Sequence, residues 1–380
     1  MTHKIEQAHR YPEVGSPFFW PFGIALRMGE QALDLERKNM KFLEEVEKTE
    51  IEKPRPQWAS PNREMYRLHT FTLRDFSRKP ADGEIPTFVL PPYAGHTSVI
   101  ADFHRKQSLV ETLLDNGVSN VRLTDWHSAT EEMKDYDIDN YLEEINVAVG
   151  DLGGRVNLIG LCQGGWMASL YAARFPHAVA ALVLAGSPID TQAGSGVIKE
   201  FADGLPPGFY EELVASGGGL LKGSYMLEGF KSMNAEKQYV EKYVELYEHI
   251  DDPDYVKRTE NFERWYEYTI NLPGKWYLQV VRQLFHDNLF VKGKFTGLGR
   301  TLDPRDIKCP LYLLAGEKDE ITPREQVFNA EKYFGTHKNH VVTALAKGGH
   351  IGLFMGNAAL EHNWTKIAAW LGRQDARKAA

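Results

Sequence analysis

The 380-residue sequence predicts an α/β fold: a mostly parallel central sheet with helices on both faces and a mainly helical cap inserted late in the chain. Three observations support this. Short apolar runs alternate with helical-period segments between Thr87 and Ala185, the rhythm of a parallel sheet covered on both sides. One of these runs, Val156 to Leu161, ends in the glycine-flanked turn Gly160-Leu161-Cys162-Gln163-Gly164-Gly165. The alternation then stops near residue 191 and resumes at Leu311. The expected organisation is an N-terminal helical segment at residues 1–60, a core at 61–190 and 301–380, and a cap at 191–300.

In chain order, residues 1–16 read as an irregular lead-in and 17–53 as a helix headed by Phe18, Phe19, Trp20 and Phe22. Its apolar positions, among them Ile24, Leu26, Leu33, Met40 and Leu43, recur at roughly helical spacing. Such a face suits packing on the α/β domain, or contact with a partner or a hydrophobic polymer. Pro54-Arg55-Pro56 ends it. Residues 67–76 read as one strand entering the sheet, and Thr87 to Leu90 as a buried strand leading into Pro91-Pro92-Tyr93-Ala94-Gly95-His96. A helix at 108–116, a strand at 121–126 and a helix at 138–149 follow. Beyond the turn at Cys162, 166–174 is helical and 180–185 is a strand ending at Gly186-Ser187-Pro188-Ile189-Asp190. Within the cap, Tyr225, Trp265, Tyr266 and Trp276 read mainly as internal packing, and Gly217-Gly218-Gly219 as a hinge. Strands near 311–315 and 341–342 and a helix at 364–371 complete the core.

The strand–turn–helix setting of Cys162 is that of the nucleophile elbow in the α/β-hydrolase fold, with cysteine where serine is usual. Gly160 and Gly164 remove side chains that would clash where strand and helix close on the turn. The helix start offers backbone N–H groups and a positive dipole end, which favour a thiolate and an oxyanion. Two later loops supply partners. Gly316-Glu317-Lys318-Asp319-Glu320-Ile321-Thr322-Pro323 follows a late strand, where this fold keeps its acid. Asp319 is the choice, with Glu317 and Glu320 as competitors. Lys347-Gly348-Gly349-His350 follows the last strand and presents a histidine on a glycine-flanked loop. The candidate catalytic set is therefore Cys162, Asp319 and His350. The N–H of Gln163, with that of Tyr93 or Ala94, is the candidate oxyanion pair. His96 either lines the site or caps its loop.

Composition narrows the rest. With 43% hydrophobic and 25% charged residues, the chain reads as an ordinary globular enzyme. A net charge of −8 without a basic stripe argues against nucleic acid. No run of about 18 apolar residues predicts a membrane span, and residues 1–15 lack a signal-peptide core. The two cysteines, Cys162 and Cys309, fit a reducing cytoplasm better than a disulfide framework. Cys309, just before Pro310, reads as structural. No metal or nucleotide motif is present, and the glycines at 217–219 lack a phosphate-loop setting.

From about residue 85 onward these motifs resemble the polyhydroxyalkanoate synthases and the related intracellular cysteine-type depolymerases. Gly160 to Gly165 is similar to the synthase box. Asn271-Leu272-Pro273-Gly274, with Tyr277 and Asn288-Leu289, resembles the synthase cap; Asp319-x-Ile321-x-Pro323 and Gly349-His350-Ile351 match as well. Gly95-His96, Thr124-Asp125-Trp126 and Ser187-Pro188-Ile189-Asp190-Thr191 look more like depolymerases, and Gly218-Gly219-Leu220-Leu221 resembles a synthase-like branch. The resemblance implies acyl transfer on (R)-3-hydroxyacyl esters or thioesters through a cysteine acyl-enzyme. It implies acyl-CoA or polyester as substrate rather than a bound cofactor, a homodimer or an accessory subunit, and a cytoplasmic location at a polymer-granule surface. Depolymerase, thioesterase and an inactive granule-binding protein are the alternatives.

Overall fold

The computed structural model describes residues 55–81, 83–194, 208–233 and 252–379. Eight strands form the central sheet: β1 Arg63–Arg67, β2 Phe71–Asp75, β3 Thr87–Leu90, β4 Val121–Trp126, β5 Val156–Leu161, β6 Val179–Ala185, β7 Leu311–Gly316 and β8 Val341–Ala346. Their spatial order is β1-β2-β4-β3-β5-β6-β7-β8. Pairing is parallel from β4 through β8, and antiparallel where β2 meets β1 and β4. This is the α/β-hydrolase arrangement expected from the sequence, with β5 in the middle of the sheet.

Residues 67–76 do not form a single strand. They contribute to a hairpin in which Leu68 N–H donates to the Phe71 carbonyl at 2.9 Å. The outer strand, Arg-Glu-Met-Tyr-Arg, is an exposed edge with no apolar face to betray it in the sequence.

Successive side chains of the inner strands alternate between two cores. Phe88, Leu158, Leu182 and Leu184 face one, while Val89, Ile159, Val183 and Ala185 face the other. Burial on both faces explains why these strands read as continuous apolar runs. Helix α1, Leu109–Asp115, starts where Ser108 Oγ accepts the Glu111 N–H at 2.8 Å. Helix α2, Ile138–Asp151, starts at a reciprocal cap between Asp137 and Asn140. Helix α3, Gln163–Arg174, leaves the Cys162 turn and is buried along nearly its whole length.

The described part of the cap contains α4 Phe209–Ser216, α5 Gly223–Met233, α6 Pro253–Glu267 and α7 Gly274–Gln279, which continues into a wider turn at Val280–His286. Trp276, Tyr277 and Leu284 share one apolar cluster with Tyr141, Trp166 and Leu170 of the sheet-covering helices. Asp190, just past β6, accepts hydrogen bonds from Asn288 Nδ2 at 2.8 Å, Asn329 Nδ2 at 2.7 Å and the Tyr333 hydroxyl at 3.0 Å. It thereby ties the end of the cap to the core. Gly217-Gly218-Gly219, expected as a hinge, takes a defined conformation here. It closes α4 as a bonded turn, with Gly219 N–H on the Val214 carbonyl at 2.9 Å and the Gly219 carbonyl accepting Gly274 N–H at 3.0 Å. A Cβ at Gly217 would lie 2.1 Å from the Leu220 carbonyl oxygen, while Gly218 and Gly219 take the positive φ of 69° and 90° that the turn requires.

The last elements are α8 Arg324–Phe328 and α9 Thr365–Ala379. Residues 55–60 already lie on the core: Arg55 pairs with Asp125 at 2.7 Å, and Ser60 bonds Asp102. The helix expected at 17–53 lies outside the described residues, as do 195–207 and 234–251 of the cap. Among the described residues no helix is long and apolar enough to cross a membrane.

Candidate active site

Cys162 joins β5 to α3 with φ 49° and ψ −117°, a conformation side chains rarely adopt. Strain of this kind is held in place only by surroundings that leave no alternative. Here the Cys162 N–H donates to the Ala185 carbonyl at 2.9 Å, and the Cys162 carbonyl accepts Gly165 N–H at 2.9 Å. The glycines permit the squeeze. A Cβ on Gly160 would meet Gly165 Cα at 2.4 Å, and one on Gly164 would meet the Leu90 oxygen at 2.0 Å. The helix therefore starts hard against the end of β3, with the cysteine 4% exposed.

Asp319 and His350 meet across the ends of β7 and β8. His350 Nδ1–H donates to Asp319 Oδ2 at 2.7 Å. Asp319 Oδ1 accepts the N–H groups of Ile321 at 3.0 Å and Thr322 at 2.8 Å, so the turn that follows fixes its carboxylate. Its side chain is fully buried, whereas Glu317 and Glu320 are exposed. Burial opposes charge on His350, but the Asp319 carboxylate and the Cys162 sulfur outweigh it, and the ring pKa lies well above the ordinary histidine value. His350 Nε2 is buried with no hydrogen-bond partner among the described residues.

Cys162 and His350 open into a cavity of ≈50 Å³. Ala94 of the expected oxyanion loop lines it, as do His96, Thr97, Trp265 and Tyr266. Gln163 opens α3, whose first N–H groups have no acceptor within the helix. The Tyr93 side chain turns away into the core, where its hydroxyl meets Tyr141 at 2.9 Å and its ring packs on Trp276. His96 both lines the cavity and secures its loop, with Nε2–H donating to the Tyr266 carbonyl at 2.9 Å. Its burial among Trp265 and Tyr266, against only weaker opposing effects, pushes its pKa down to about 4. Cys309, the other thiol, is half-buried and away from this cavity's lining.

A family model described as protein of unknown function (DUF3141) matches residues 60–376. The chain belongs to this family. Its curated relatives carry more specific names. The chain is 25% identical to a poly(3-hydroxyalkanoate) polymerase subunit PhaC of Haloferax mediterranei, covering 90% of this chain and 72% of the relative. It is 25% identical to the protein of the same name in Allochromatium vinosum, covering 83% and 89%. In Synechocystis sp. a further PhaC is 23% identical over 94% and 96% of the two chains. Among solved structures, an esterase from Thermogutta terrifontis resembles it with a TM-score of 0.48 and 13% identity, covering 83% of this chain and all of that one.

In this DUF3141 chain some site features escaped sequence reasoning. Trp265 and Tyr266 of α6 face the cavity, whereas Trp276 and Tyr225 are core; nothing in the local pattern separates the pairs. Gly165 also proved necessary, since a Cβ there would lie 1.8 Å from Ser187 Oγ. The third glycine of the box hinted at it. Thr97, Ile100 and Phe354 carried no sequence signal at all.

Proposed function

We propose that the protein is an acyltransferase that carries (R)-3-hydroxyacyl groups on Cys162, in the manner implied by its synthase-like motifs and by the names of its relatives. The observation that carries this reading is a strained-elbow cysteine beside a buried His350–Asp319 pair, opening into an apolar cavity. His350, protonated beside Asp319, holds Cys162 as a thiolate, and that sulfur attacks the thioester carbonyl. Asp319 holds the ring in the tautomer that faces the sulfur and stabilises the imidazolium. Backbone N–H groups of Gln163 and of Ala94 or Tyr93 bind the oxyanion, each contributing roughly 3–4 kcal/mol. CoA leaves as a thiol with the proton from His350. A hydroxyl of the growing chain then attacks the acyl-enzyme, gives its proton to His350, and releases Cys162 as thiolate beside the reprotonated ring.

Thiol and thioester exchange at little free-energy cost, which suits cysteine to acyl-CoA. The ≈50 Å³ cavity is far below the ~300–1,000 Å³ that encloses a whole small-molecule ligand, so it suits the acyl end alone. The proposal includes acyl-CoA as substrate with no bound cofactor, a homodimer or accessory subunit, and a polymer-granule surface in the cytoplasm. The test offers (R)-3-hydroxybutyryl-CoA and amorphous polymer separately. CoA release with insoluble polymer supports transfer. CoA release with only free 3-hydroxybutyrate marks a thioesterase. Acid freed from polymer without CoA release marks a depolymerase.

A further inference from the structure

Thr97 stands out on the cavity wall. Its residue is 1% exposed, and its Oγ1 has no hydrogen-bond partner among the described residues. It occupies the cap position of the short helical turn Ser98–Ala101, where threonine normally accepts a backbone N–H, yet it makes no side-chain cap bond. Its backbone is pinned, since the Thr97 carbonyl accepts Trp265 Nε1–H at 3.1 Å. A buried hydroxyl left unpaired destabilises a fold, and valine would fill the same shape without that cost. The surrounding wall is largely hydrocarbon: Pro92, Ala94, Ile100, Ile321, Ile351 and Phe354.

We propose that the Thr97 hydroxyl is a specificity-determining contact for the oxygen on the third carbon of the bound acyl chain. This rests on the acyl-transfer reading above. The carbonyl oxygen of the substrate is claimed by backbone N–H donors, and the CoA moiety is too large for the cavity. What remains of a short 3-hydroxyacyl group is hydrocarbon and one hydroxyl. Threonine both donates and accepts, so it serves that hydroxyl free or esterified.

The experiment compares the second-order rate of Cys162 acylation by (R)-3-hydroxybutyryl-CoA and by butyryl-CoA, read by intact-protein mass on the full chain. Thr97→Val should lower the preference for the hydroxylated chain by at least about tenfold, and Thr97→Ser should restore it. The thermal midpoint of Thr97→Val should equal or exceed that of the wild type, which a purely structural threonine would not allow. An unchanged preference in Thr97→Val with acylation intact overturns the assignment alone. A lowered midpoint with both substrates slowed equally also overturns it. A wild type acylated by neither thioester sinks the acyl-transfer reading, and this contact with it.

Discussion

His350 and His96 sit on one cavity, both largely buried, yet their charge states lie in opposite directions. His350 comes from a loop of the sheet and faces the Asp319 carboxylate, so its ring holds a proton well above the usual histidine range. His96 comes from the loop after β3 and faces aromatic rings and a carbonyl of the cap, so it stays neutral down to about pH 4. Desolvation is common to both. The difference is a counter-charge within hydrogen-bond distance. One histidine is therefore equipped to hold and return a proton, and the other to tie loop to cap without charge.

The largest expected effect tests the charged side of this contrast. Cys162→Ala and His350→Ala should each lower turnover by about 10⁴-fold or more, and the double variant should be no worse than either. Full activity in Cys162→Ala would end the functional reading. Asp319→Asn comes next, with a loss on the order of 10³–10⁴-fold. In that variant NMR titration of the His350 ring should show its pKa falling toward or below 6.5. An unmoved pKa would mean that the carboxylate does not set it.

The neutral side is tested through stability. The folded pKa of His96 lies below its unfolded value near 6.5, so its contribution is present above pH 6.5 and is lost as pH falls toward 4. The loss is about 3 kcal/mol. His350 has the opposite sign: its contribution is complete below its unfolded pKa and fades as pH rises through the folded one. In His96→Gln the urea-unfolding difference between pH 7 and pH 4 should shrink by about 3 kcal/mol relative to wild type. An unchanged difference would show that His96 titrates normally. The smallest effect belongs to Glu317→Gln and Glu320→Gln, both exposed, which should leave turnover within about twofold.

Much of the fold was legible because its signals are local. The positions of β3, β6 and β7 follow from short apolar runs, which parallel strands buried on both faces require. The elbow was legible for the same reason: the positive φ of Cys162 and the close approach at Gly160 and Gly164 are settled within a few residues and one neighbouring strand. The β1 edge was hidden because a solvated strand needs no apolar pattern. The bonded turn at Gly217 to Gly219 was not legible because a glycine run looks alike whether it packs or bends.

By itself, then, the sequence determined the order of strands and helices, the elbow, and the loops that carry Asp319 and His350, since each depends on neighbours a few positions away. The sequence favoured Asp319 among three acids, and the tertiary structure shows why that one meets His350. Glu317, Asp319 and Glu320 share one loop, and what distinguishes them is the direction the turn at Ile321 and Thr322 imposes on one carboxylate. The tertiary structure alone placed Trp265 and Tyr266 over the cavity while burying Trp276. It alone left the Thr97 hydroxyl without a partner. These are facts about which distant surfaces close on each other, and pairing across 168 residues, as between Thr97 and Trp265, leaves no mark on the residues beside either one.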